Sequence, residues 1–142
     1  MNSMDTLAWI SILLGCAAAI DDLRRRAISN WISVTGLAAG LVYHALGHGF
    51  RGLALAAAGA AIGFAIFLVL YLMGGMGGGD VKLMAAFGAL LGPAGILTAA
   101  LLTAIIGGMV AAVTLMADRR KRTIPYGPAI VLGSWLALIG TR

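Results

Sequence analysis

Apolar sequence runs from residue 53 to residue 73 without a charge, and from 81 to 117 it is broken by one Lys alone. A helix needs roughly 20 apolar residues to cross the hydrocarbon core of a bilayer, so stretches of this length call for lipid as solvent. The rest of the composition agrees. Apolar residues make up 61% of the 142-residue chain and charged residues 11%, against about a quarter charged in a soluble domain. Too little charge remains to coat a water-soluble globule. Disorder is excluded on the same ground, since disordered chains are rich in charge and poor in apolar residues.

Further stretches at residues 6–20, which qualifies as a span when Met4 is included, and 31–46 read as crossings. The run Gly74-Gly75-Met76-Gly77-Gly78-Gly79 separates the third crossing from the next apolar stretch, because each Gly in a helix interior costs about 1 kcal/mol relative to Ala. Residues 81–117 are too long for one crossing, and Gly92-Pro93 divides them, since Pro removes a backbone donor and clashes with the preceding turn. A short helix over 81–91, a full one over 94–117 and a last short one over 127–139 result. The expectation is a single all-α membrane domain over residues 1–142, a compact bundle of about six transmembrane helices with the N-terminus outside. Gly36-x-x-x-Gly40 and Gly59-x-x-x-Gly63 are small-residue pairs that let neighbouring helices approach.

The basic residues orient this bundle. With the N-terminus outside, the inner loops hold Arg24, Arg25, Arg26, Lys82, Arg119, Arg120, Lys121 and Arg122, and the outer ones Arg51 and Arg142. That asymmetry follows the positive-inside rule. The net charge of +5 therefore reads as topology facing anionic lipid, with the bilayer as partner and no nucleic acid. Ala17-Ala18-Ala19 and Leu13-Leu14-Gly15-Cys16 resemble processing sites, but residues 1–10 carry Asp5 and no basic residue, so the segment reads as a span.

Five Asp and no Glu remain. Asp5 lies at the start, and Asp118 opens a charged loop. Asp21, Asp22 and Asp80 sit at the inner ends of spans, and an ionisable residue at membrane depth is a functional hypothesis by default. Taken singly, Asp21 or Asp22 reads equally as an interfacial cap or a partner for a nearby Arg. Asp80 follows a Gly-rich run and opens a helix too short to cross the core. Irregular backbone at such depth is tolerated only inside protein or beside a wet cavity, and Gly lets an extended peptide approach closely. Two carboxylates brought together share one proton, so the ionised one can activate water while the protonated one polarises a carbonyl. That pairing would hydrolyse an amide without metal or other cofactor. Cys16 sits in an apolar span away from any base and reads as packing. His44 and His48, spaced i, i+4, face the opposite side from the acids and lack the third ligand a metal site needs.

At this point the sequence resembles the prepilin peptidases, a branch of the GxGD intramembrane aspartyl proteases. Gly77-Gly78-Gly79-Asp80-Val81-Lys82-Leu83 resembles the GxGDxK segment. Asp22-Leu23-Arg24-Arg25-Arg26-Ala27-Ile28-Ser29-Asn30 is similar to the first-aspartate segment, which ends in Ile-Pro-Asn, with Ser29 here where Pro is usual. Ile124-Pro125-Tyr126-Gly127-Pro128-Ala129-Ile130 resembles a third motif of the same branch. The resemblance implies catalysis by Asp22 and Asp80, with Gly77, Gly79, Lys82 and Asn30 forming the site and Asp21 left as an interfacial charge. Topology accounts for Lys82 equally well. It implies an aspartic endopeptidase of the bacterial inner membrane, cutting pilin precursors after a glycine at the cytoplasmic face. Ser29 is expected to serve as the helix cap that replaces Pro. Larger members carry an N-terminal extension with paired cysteines linked to N-methylation, so this chain resembles the short form found with tight-adherence type IV pili, without methyltransferase activity. The alternative is a small proton-coupled transporter or relay subunit using membrane-embedded Asp residues, and a third reading is a pure assembly subunit.

Overall fold

A computed structural model describes residues 3–117 and 126–140 of the chain. The basic run at 119–122, Asp118, Ile124, Pro125 and Arg142 lie outside the described residues. Among the described residues the structure is all helical, with four elements: α1 (Ser3–Arg25), α2 (Asn30–Leu72), α3 (Gly78–Ala117) and α4 (Gly127–Gly140). Three of them, over Asp5–Arg25, Asn30–Leu72 and Gly78–Thr114, are long and apolar enough to cross a membrane.

α2 holds 43 residues and α3 holds 40. Either one, if straight, would reach about 60 Å, roughly twice the hydrocarbon core. Each is instead two arms meeting at a glycine with non-helical backbone, Gly49 (φ 59°) and Gly92 (φ 70°). That left-handed region is open to glycine at little cost. The chain doubles back at both. A Cβ at Gly52 would run into the His44 carbonyl oxygen across the first bend. Beyond the second, the backbone of Met84 and the side chain of Ile96 both face Gly63. The far ends of α2 also lie near one another, with Asn30 bonded to Lys82 and the Tyr71 ring beside Gly78.

The first arm of α3 is the centre of the molecule. Val81, Leu83, Met84, Ala86, Phe87, Ala89 and Leu90 are all buried. The small-residue pairs of α2 make that burial possible from two sides. Gly36 and Gly40 on the first arm of α2 meet Ala86 and Ala89, while on the second arm Gly63 meets the Met84 backbone. Gly59 and Gly88 pack backbone to backbone, so a Cβ on either would run into the carbonyl oxygen of the other. The periphery is apolar where a soluble protein would be charged, as at Leu46, Phe50 and Met116, which suits contact with lipid.

A second polar bond between α2 and α3 lies within this packing. His44 Nε2–H donates to the Leu90 carbonyl at 2.9 Å, next to the Gly92 bend whose carbonyls lack helical partners. Interhelical hydrogen bonds in membranes average about 0.6 kcal/mol. His44→Leu is expected to lower unfolding stability in detergent by about 1 kcal/mol, read by denaturant titration.

Two expectations about helix bounds need correction. α1 does not stop at residue 20 but continues through Asp21 and Asp22 to Arg25, because charges at a water-facing helix end do not interrupt its hydrogen bonding. α3 begins at Gly78 rather than Val81. Gly is costly in a helix interior, but the first N–H groups of a helix have no partner four residues back, and Asp80 N–H instead closes a tighter turn onto the Gly77 carbonyl at 3.1 Å.

Candidate active site

α1 ends three residues after Asp22, at Arg25. Arg26 N–H donates to the Asp22 carbonyl at 2.8 Å, and Arg26 itself takes φ 53°, a left-handed conformation. This stop at C′ usually falls to Gly and costs a side-chain-bearing residue about 1 kcal/mol or more. It turns the chain so that Ile28 is buried and packs against Gly79, where a Cβ would lie 3.1 Å from that of Ile28. The first-aspartate segment and the Gly-rich segment are thereby pressed together.

Between them lies a cavity of about 170 Å³ lined by Asp22, Arg26, Ala27, Ile28, Gly77, Gly78, Gly79 and Asp80. Both carboxylates are nearly closed off, Asp22 at 6% exposure and Asp80 at 7%. Each is held by a backbone donor. Gly127 N–H donates to Asp22 Oδ2 at 3.0 Å, and Gly77 N–H to Asp80 Oδ2 at 3.1 Å. Among the described residues these are the bonds that orient the two groups, and they leave Oδ1 of each for another ligand. Two acids sharing a small cavity with glycine backbone can hold a water and a peptide carbonyl between them.

Asp21 faces elsewhere. Its Oδ2 accepts from Ser29 N–H at 2.8 Å, and its Oδ1 lies 3.4 Å from Arg25 Nε. It clamps the α1–α2 loop from the side away from the cavity. Lys82 and Asn30, expected near the site, bond to each other at 2.8 Å and stand beside the cavity rather than in its lining. They tie the start of α2 to the start of α3.

A model of the type IV leader peptidase family matches residues 9–113. The chain belongs to this family. The Prepilin leader peptidase/N-methyltransferase of Aeromonas hydrophila is 32% identical over 142 residues, covering 94% of this chain and 47% of the relative. The protein of that name from Bacillus subtilis (strain 168) is 32% identical over 140 residues, 94% of this chain and 54% of the relative. The chain thus spans about half the length of the curated relatives it matches. No solved structure matches it significantly.

The departure at Ser29 has a physical account. Ser29 is the residue before α2, but its side chain makes no cap bond, contrary to expectation. Its backbone N–H takes that part by donating to Asp21, a bond that Pro has no hydrogen to make. Yet φ −63° and ψ 134° at Ser29 are values Pro adopts without strain. Ser29→Pro should therefore trade one hydrogen bond for a stiffer unfolded chain and change stability by no more than about 1 kcal/mol. Thermal unfolding in detergent checks this.

Sequence reasoning missed Gly127, and it also left out Arg26, Ala27, Ile28 and Gly78 of the cavity lining. A Cβ at Gly127 would lie 2.6 Å from Asp22 Oδ2 and 2.8 Å from Asp22 Cβ. Its motif was visible, but the motif carried no hint that its backbone reaches an acid 105 residues away.

Proposed function

We propose that this chain is a prepilin leader peptidase, an aspartic endopeptidase that hydrolyses the bond after a glycine in pilin precursors. The observation that carries the reading is the pair Asp22 and Asp80, buried on one glycine-lined cavity and each oriented by a backbone N–H. The family match and the names of the relatives support it over a transporter.

In the proposed mechanism one carboxylate is ionised and the other protonated. The ionised one takes a proton from water as the oxygen adds to the scissile carbonyl carbon, and the protonated one gives its proton to the carbonyl oxygen. Collapse of the tetrahedral diol returns that proton, the C–N bond breaks, and the leaving nitrogen takes the proton first removed from water. A cavity of about 170 Å³ is below the usual range of roughly 300–1,000 Å³ for a ligand site. It suits a peptide group and a water, with the rest of the substrate lying outside across residues 77–79.

The chain acts as one domain over residues 1–142, crossing the inner membrane six times with the N-terminus outside and the site at the cytoplasmic face. The bends at Gly49 and Gly92, the nearness of the ends of α2, and Arg24, Arg25 and Arg26 beside the site support this arrangement. Coexpression with a pilin precursor tests the function. A gel shift to the leaderless form supports it, and a precursor that stays full length beside well-expressed enzyme refutes it.

A further inference from the structure

A second and third cavity lie on the other side of the α1–α2 loop from the two buried acids. One, of about 330 Å³, is a trough between α1 and the first arm of α2, lined by apolar residues including Leu13, Leu14, Trp31 and Ala39. Its one hydroxyl, that of Thr35, donates within its own helix to the carbonyls of Trp31 and Ile32 at 2.7 and 3.0 Å. The other cavity, of about 290 Å³, holds Asp21, Arg24, Arg25 and Ser29. The two share Ala17, Trp31 and Ile32, so they form one continuous groove, apolar along its length and cationic at its inner end.

We propose that this groove seats one anionic phospholipid, with its phosphate on Arg24 and Arg25 and an acyl chain in the trough. Asp21 does not cancel the charge. Its two oxygens are turned to Ser29 and to Nε of Arg25, and Arg24 has no ion-pair partner among the described residues. Two guanidinium groups against one carboxylate leave a positive end, and guanidinium is suited to phosphate. The trough is too small for a protein helix. A helix about 10–12 Å across would fill 330 Å³ in less than one turn. A hydrocarbon chain is thin enough to lie in it. Trp31, partly exposed where the two parts meet, belongs at the headgroup level where amphipathic rings concentrate. The lipid seat is independent of the peptidase reading.

The test places the full chain in phosphatidylcholine nanodiscs and reads Trp emission while brominated-acyl phosphatidylglycerol or brominated-acyl phosphatidylcholine is added. Trp9 and Trp135 do not line the groove and are expected to respond to either headgroup alike, so the difference between the two lipids isolates Trp31. Quenching by the phosphatidylglycerol is expected at about fivefold lower mole fraction, since two Arg against one Asp leave one net positive charge and each such charge near an anionic surface counts for about fivefold. Arg24→Gln with Arg25→Gln should abolish the difference. Because those changes remove orienting charge, Ala39→Phe provides a second arm. It narrows the trough, leaves every charge in place, and should weaken the phosphatidylglycerol quenching. Equal quenching by the two lipids would overturn the proposal, as would a preference that survives the double Gln variant or is unmoved by Ala39→Phe. Displacement of the brominated lipid by pilin precursor would assign the groove to substrate and overturn it as well.

Discussion

Asp22→Asn and Asp80→Asn should each lower the rate of leader removal by about three orders of magnitude while leaving the bundle folded. The magnitude follows from the range of about 10²–10⁴ for a positioned acid or base, and in the proposed mechanism each acid serves in both steps. The substitution is informative because of how the acids are held. Asn keeps a carbonyl oxygen that can accept from Gly127 N–H in place of Asp22 Oδ2, or from Gly77 N–H in place of Asp80 Oδ2. Shape and orientation survive, and only the proton chemistry is removed. Single-turnover cleavage of a purified precursor measures the loss, and an unchanged melting profile separates it from misfolding. The double variant should be little slower than either single one, because residues acting as a unit lose their joint effect with the first removal. If both single variants cleave at the parental rate, the dyad mechanism is wrong.

The choice of Asp22 over Asp21 shows what sequence carried and what it did not. Successive residues on a helix point about 100° apart, so one of two adjacent acids must face away from any given cavity, but chemistry alone does not say which. The spacing to Asn30 in the resembling motif picked Asp22, and the structure turns Asp21 to Ser29 and Arg25. The bends were legible where local chemistry writes them. Gly92-Pro93 is an unmistakable break, and Gly47 to Gly52 offers no long apolar run. The contact of Gly59 with Gly88 was half legible: the small-residue spacing marked Gly59, while the same spacing in Gly88 and Gly92, whose backbones both face Gly59, overlaps the Gly92-Pro93 break and was read only as that break. Lys82 and Asn30 were grouped with the acids because their motifs flank them. Their side chains answer one another across the helix starts, a pairing of residues 52 apart that no local rule encodes.

Gly127→Ala is expected to slow cleavage about 100-fold without touching either acid. The added Cβ would sit 2.6 Å from Asp22 Oδ2, 2.9 Å from Cγ and 2.8 Å from Asp22 Cβ. The carboxylate could swing, but Asp22 Cβ is fixed to the α1 backbone, so rotation of the side chain cannot relieve the whole contact. Either α1 and α4 part or Asp22 turns out of the cavity, and in both cases the Gly127 N–H bond is stretched or lost. A displacement of about 1 Å at a reacting group is enough to cost two orders of magnitude. A proton-transfer group that is present but misplaced should show in kcat more than in KM, since the substrate contacts proposed along residues 77–79 are untouched. Leader removal over a range of precursor concentrations separates the two. A full-rate Gly127→Ala enzyme would mean that the backbone bond to Asp22 is dispensable, and that the acid is held in place by its neighbours in α1 alone.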